Sequence, residues 1–173
     1  ANKITDLNHP LVKETLKLLS ISHGLEITSI ADIPSKGTGL GSSSSFTVGL
    51  VHALLSYEKK PITKEILAEL ACEIEIEKCK EPIGKQDQYA AAFGDLNFIE
   101  FLNDGSVKVN QVDCDLPTRE ALENNLLVFY TGISRSSSTI LKHQSENIKK
   151  KEKISIMEKM VQLAHDMRDQ LES

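Results

Sequence analysis

Three glycines at alternate positions, Gly37, Gly39 and Gly41, run into four consecutive serines, Ser42 to Ser45, at the head of a helix-spaced apolar stretch. Residues without a Cβ let backbone N–H groups close on an anion, and the positive end of a helix favours the same negative charge. The junction therefore suits phosphate; taken alone, it suits equally a surface turn ended by a serine cap. Residue order excludes two common phosphate loops. A P-loop needs Lys and then Ser or Thr after its last glycine, whereas Gly41 is followed directly by Ser42. The dinucleotide fingerprint is G-x-G-x-x-G, whereas this chain reads G-x-G-x-G shortly after Pro34.

Two carboxylates stand apart from the other acidic side chains. Glu65, Glu69, Glu73, Glu77 and Glu81 recur at every fourth position and form one stripe along a helix. Like charges so spaced repel by roughly 0.2 to 0.5 kcal/mol per pair, tolerable where water screens them, so the stripe reads as a solvated face. Glu75 lies about 200° around the helix from that stripe, four residues after Ala71 and four before Cys79, beside the apolar surface. There it is either a boundary residue reaching water or a lysine, or a carboxylate with a task. Asp87, in GKQDQYAAAFG, has the chemistry of a proton acceptor and also that of a helix cap ahead of Tyr89 to Phe93. Lys85 is either a phosphate or substrate contact or an exposed loop cation.

Other chemistries find no support. His9, His23, His52, His143 and His165 lack H-E-x-x-H spacing, and the serine run does not fit G-x-S-x-G, so neither a zinc protease nor a serine hydrolase is indicated. Lys149, Lys150, Lys151 and Lys153 are interspersed with Glu146 and Glu152 and carry no aromatic residues between them, which reads as a solvated helix junction.

The elements that must position these residues follow from hydrophobic period. Asn8 and Pro10 open a helix with Leu11, Val12, Leu16 and Leu19 on one face, ending at His23-Gly24. Leu25, Ile27, Ala31 and Ile33 alternate as a strand stopped by Pro34. Phe46, Leu50, Ala53, Leu54 and Tyr57 mark the helix after the loop. A third helix begins at Pro61 and Thr63, buries Ile66, Leu67, Leu70, Ala71 and Ile74, and closes at Pro82-Ile83-Gly84. Leu96 to Leu102 and Val107 to Val112 flank Asn103-Asp104-Gly105, a strong hairpin signal. Leu126 to Thr131 reads as a short strand. Helical faces follow at Ile140, Leu141, Gln144 and Ile148, and at Ile154, Met157, Val161, Ala164 and Leu171.

The 173 residues, 40% apolar and 26% charged with a formal net charge of −5, have the composition of an ordinary globular chain long enough for one domain or one and part of another. A mild acidic excess argues against nucleic acid as the main partner. The longest apolar runs, Tyr89 to Phe93 and Leu126 to Tyr130, fall far short of the roughly twenty residues a membrane helix needs. Ala1 to Pro10 has no signal-peptide pattern, so a cytoplasmic location is expected. Cys72, Cys79 and Cys114 are odd in number, and the first two are seven apart on one helix, which predicts reduced, buried thiols.

The loop resembles the central motif of the GHMP small-molecule kinases, P-x-x-x-G-L-G-S-S-A, through Pro34, Gly39, Leu40, Gly41, Ser42 and Ser43. It departs in having four residues between Pro34 and Gly39 and in carrying Ser44 where alanine is usual. The stretch GSSSSFTVGL is similar to the sugar-kinase branch that includes the heptose phosphate kinases, and EPIGKQDQYAAAFG resembles the P-x-G-x-x-D-Q pattern of galactokinases and heptose kinases. The resemblance implies that Gly37, Gly39, Leu40, Gly41, Ser42, Ser43 and Ser44 wrap the phosphates of ATP, that Ser43 and Glu75 hold Mg2+, and that Asp87 is the catalytic base. Thr131-Gly-Ile-Ser-Arg135 is similar to a segment near substrate in homoserine kinases, which adds Thr131 and Arg135 to Lys85 as candidate contacts to a sugar or sugar phosphate.

The fold so implied is α+β, a partial GHMP-kinase fold. Residues 1–124 would belong to a ribosomal-protein-like βαβ N-terminal domain, and residues 125–173 would start a ferredoxin-like C-terminal domain. Family members carry further strands before the region matched here and a second glycine-rich motif after it, so an internal fragment is expected, inactive on its own and prone to self-association through uncovered strand edges. The reading from another class is a remnant of such a kinase that binds nucleotide or a protein partner without catalysis.

Overall fold

A computed structural model of the chain describes residues 3–22, 24–31, 39–129 and 151–173. The described chain divides into two compact units, meeting at Gly94 and Asp95.

The first unit is helical. After a 3₁₀ turn at Ile4–Asp6, α1 spans Pro10–Leu18. Pro10 at the first helical position makes His9, not Asn8, the N-cap, and its Nδ1 accepts from the Val12 amide at 3.5 Å. The His9 ring also meets Phe46 of the next helix at 5.2 Å between centroids. The helix ends at Leu18, well before His23-Gly24, because Ser20 takes a left-handed φ of 59°. The amides of Ser20 and Ile21 then turn back onto the Lys17 and Leu16 carbonyls, a Schellman closure.

Helix α2, Ser42–Tyr57, is the centre of this unit, packed against α1, α3 and α4. Val48, Leu50, Val51, Leu54 and Leu55 supply its buried surface, while Ala53 and Tyr57 of the anticipated face are exposed. The apolar residues are spread around much of the helix, so α2 buries more than one stripe. Helix α3, Lys64–Cys72, is capped by the Thr63 hydroxyl, which accepts from the Ile66 amide at 3.2 Å. It runs into a π-helical turn, Glu73–Lys78, closed by Cys79 N–H donating to the Ile74 carbonyl at 2.9 Å. The wider turn resets the helical phase just where the acidic stripe passes, and it buries Ile74 and Glu75 side by side. Helix α4, Gln86–Phe93, then packs against both α2 and α3.

The second unit is built on a hairpin. Strands β1, Asn97–Phe101, and β2, Val107–Gln111, pair antiparallel with Ile99 opposite Val109. Gly105 at φ 85° and the Asp104 carboxylate, which accepts from the Ser106 amide and hydroxyl at 2.9 and 2.6 Å, shape the turn. Helix α5, Leu116–Asn125, had no counterpart in the periodicity. It is specified by its start instead: Asp115 caps the Thr118 amide at 2.8 Å, with Pro117 in the first turn. Arg119 ties it to Asp95 at 2.8 Å. Helix α6, Lys151–Leu171, sets His165 and Arg168 over the Phe98 ring, at 4.9 and 4.6 Å.

Two expected strands have no ladder among the described residues. Among the described residues the sheet has only β1 and β2, so the alternating segment from Leu25 and the run Leu126 to Phe129 find no ladder partner. Leu25 still packs on the core of the first unit, but Ile30 and Leu126 to Phe129 are exposed. Period two marks a segment able to pair; the hydrogen bonds of a second strand make it one. The helical face at Ile140 to Ile148 lies outside the described residues.

All three cysteines are free; Cys72 is buried and Cys79 and Cys114 are half-buried. Burial pushes the Cys72 thiol up from an ordinary 9.0 to about 11, against the opposing pull of Lys85, and burial also raises Cys79. The thiolate is the nucleophile, so Cys72 is expected to be alkylated more slowly by iodoacetamide at pH 8 than Cys114, as followed by peptide mass mapping. A raised folded-state value also means that this contribution to stability is complete below about pH 9 and is lost as pH rises through about 11. Equal alkylation rates at Cys72 and Cys114 would contradict the packing of α3.

Candidate functional site

The glycine-serine loop reaches α2 through two left-handed residues, Gly39 at φ 72° and Gly41 at φ 66°. Gly41 is the N-cap, and the first intrahelical bond runs from the Ser45 amide to its carbonyl at 2.9 Å. The amides of Ser43 and Ser44 precede that bond and lie at the positive end of a sixteen-residue helix. Ser43 is exposed, and its carbonyl accepts from the Thr47 hydroxyl at 2.9 Å. Ser44 is almost fully buried, which accounts for a small residue there: serine replaces the alanine of the motif without a change of bulk. Leu40 is exposed at the loop tip.

Asp87 faces this loop from the first turn of α4. A Cβ placed on Gly41 would stand 3.4 Å from Asp87 Cγ and 3.5 Å from its Oδ2, so the missing side chain is what lets loop and carboxylate approach. Asp87 is exposed, in the first turn of α4.

Glu75 projects from the π turn into the interior, where it is 1% exposed. Its Oε2 accepts from Nε2 of Gln88, itself wholly buried, at 2.6 Å. Gln88 Oε1 has no hydrogen-bond partner among the described residues. Gln88 belongs to the D-Q pattern without a role implied by it; its place next to Asp87 and one helix away from Glu75 is the signal that marks it. Asp87 and Gln88 are consecutive, hence about 100° apart around α4, so one helical turn serves both the loop and the π segment.

Lys85 is placed elsewhere. With Tyr89, one turn further along α4, it lines a groove of about 260 Å³ against α3, in the company of Cys72, Glu69, Glu73 and Glu77. Asp87 lies about 200° around the helix from Lys85, so the two do not converge. Gly37, Thr131 and Arg135 lie outside the described residues.

An α+β chain in which a glycine-rich helix start meets a carboxylate from a second helix narrows the class, and comparison with known proteins supplies the family. Residues 10–95 match the GHMP kinases N terminal domain. The D-glycero-alpha-D-manno-heptose 7-phosphate kinase of Campylobacter jejuni is 35% identical over 162 residues, covering 93% of this chain and 46% of that protein. The galactokinase of Pyrococcus furiosus is 32% identical over 115 residues, 65% of this chain and 30% of its own length. A crystal structure of a D-glycero-D-manno-heptose 1-phosphate kinase from Bacteroides thetaiotaomicron superposes with a TM-score of 0.61 at 34% identity, over 66% of this chain and 39% of that one. Residues 10–95 belong to the GHMP kinase N-terminal domain family, and the α+β architecture is part of that fold. The chain spans less than half the length of each of these relatives.

Proposed function

We propose that this chain supplies the ATP loop and catalytic base of a sugar kinase that phosphorylates a heptose phosphate. The observation that carries the reading is the Asp87 carboxylate set against Gly41, a proton acceptor beside an anion cradle. Backbone amides from Gly39 to Ser44 would hold the phosphates, and Asp87 would accept the proton of the sugar hydroxyl as its oxygen attacks. Ser43 hydroxyl and Glu75 carboxylate are hard oxygen donors of the kind Mg2+ takes alongside phosphate oxygens, and Gln88 engages only one of the two Glu75 oxygens. When bound, Mg2+ would neutralise charge on the transferring phosphates. Thr131 and Arg135 are assigned to the substrate; Lys85, among three glutamates, is assigned no phosphate.

The same reading gives residues 1–124 to the N-terminal domain and 125–173 to the start of the next, and puts the reaction in the cytoplasm. More than half of the heptose 7-phosphate kinase has no counterpart in these 173 residues. The 173-residue chain is therefore expected to bind magnesium-ATP and to self-associate without sugar-dependent turnover, and turnover is to be assayed with the segment carried in a chain of the relatives' length.

Calorimetry with Mg2+ and the non-hydrolysable analogue AMP-PNP tests the first half, and a coupled assay across heptose 7-phosphate, heptose 1-phosphate and galactose tests the second. Glu75→Gln removes the carboxylate charge and is expected to raise the Mg2+ concentration needed for half-maximal AMP-PNP binding by about tenfold or more, leaving metal-free affinity unchanged. Absence of nucleotide binding in the folded chain would sink the reading.

A further inference from the structure

We infer that Gln88 is a positioning residue that clamps Glu75 in the orientation the metal requires; the inference rests on the proposed metal role of Glu75. Both side chains are withdrawn from solvent, Gln88 completely and Glu75 to 1%. Burying an amide next to a carboxylate is costly unless they bond, and at 2.6 Å from Gln88 Nε2 to Glu75 Oε2 they do, with the shortness of a bond to a charged acceptor.

The other end of the amide is what separates a clamp from ordinary packing. Gln88 Oε1 is buried with no partner among the described residues, and a residue selected only to fill space would be better apolar. The carboxylate it holds sits on a π turn, so it leaves the backbone in a direction a regular helix would not give it. A donor fixed on Oε2 sets the direction of the second oxygen. Gln88 is also the neighbour of Asp87, so the spacing between base and clamped carboxylate is set by one peptide unit of α4 rather than by a loop.

Gln88→Met keeps length and volume and removes the donor. In the 173-residue chain it is expected to raise the Mg2+ concentration for half-maximal AMP-PNP binding by about 10- to 100-fold, with metal-free AMP-PNP affinity unchanged and Mn2+ binding followed by electron paramagnetic resonance weakened in parallel. Because it acts through Glu75, the double variant E75Q/Q88M should bind metal no more weakly than E75Q. Normal metal dependence in folded Q88M, or additive losses in the double variant, overturns the clamp while leaving the metal role of Glu75 standing. Unchanged metal dependence in E75Q overturns that role and the clamp with it. If Q88M does not fold, the side-chain amide resonance of Gln88 in the wild-type chain decides: it is expected to shift on addition of Mg2+ with AMP-PNP and to stay in place in E75Q, and a resonance unmoved in the wild type refutes the inference.

Discussion

Asp87→Asn is expected to lower sugar-dependent turnover by roughly 10² to 10⁴, the span that a positioned general base contributes, while nucleotide and sugar affinities stay near normal. The substitution is nearly isosteric, so the approach of this side chain to Gly41 is preserved, as is the packing of Gln88 next door. What changes is the ability to take a proton from the attacking hydroxyl. A loss confined to kcat therefore identifies a group that acts in the transition state, whereas a loss confined to KM would identify a binding contact. The measurement is a coupled assay with heptose phosphate, on the segment carried in a chain of the relatives' length, with calorimetry for AMP-PNP on the same protein. Full turnover in folded Asp87→Asn would mean that the base is another residue and that Asp87 is only an exposed residue of the first turn of α4.

How much of this was legible beforehand differs residue by residue. The helix start after Gly41, the Thr63 start of α3 and the Asn103-Asp104-Gly105 turn were readable because each depends on a local preference: a cap, or a backbone with positive φ. Burial at Glu75 was foreshadowed by its angle from the acidic stripe, but its depth was not, since the π turn that drives it inward leaves no mark in a period of 3.6. The segments from Leu25 and Leu126 have strand period without strand bonding among the described residues, since bonding depends on partners far away in sequence. Helix α5 is the reverse, a helix whose sparse apolar residues show no stripe and whose signal is its start, the Asp115 cap with Pro117 in the first turn. Lys85 and Asp87 are two apart in the chain, and the turn of α4 sets that separation about 200° around its axis, which only the helix start reveals.

Gly41→Val is expected to abolish magnesium-ATP binding while leaving a folded chain, and a graded series shows why. Gly39→Ala introduces a Cβ at φ 72° with no described residue within 4 Å, so among these it meets only backbone strain, about 1 to 2 kcal/mol for an L-residue in the left-handed region. Gly41→Ala adds to the same strain a methyl 3.4 Å from Asp87 Cγ, at the tight end of ordinary contact. Valine extends two further carbons from that position, where the chain has already placed the carboxylate, so either the loop or the first turn of α4 must withdraw. Displacement of a reacting or binding group by about 1 Å is enough to cost about 10²-fold, and here the displaced groups include the amides that would line the anion cradle. Affinity for AMP-PNP with Mg2+ should therefore fall slightly in Gly39→Ala, more in Gly41→Ala, and beyond calorimetric detection in Gly41→Val. Circular dichroism should show the helical content kept throughout, since α2 begins after the substituted positions and is held by Val48, Val51, Leu54 and Leu55 in the core. Wild-type affinity in a folded Gly41→Val protein would reduce the loop to a connector between Ala31 and α2 and would leave Asp87 facing no nucleotide at all.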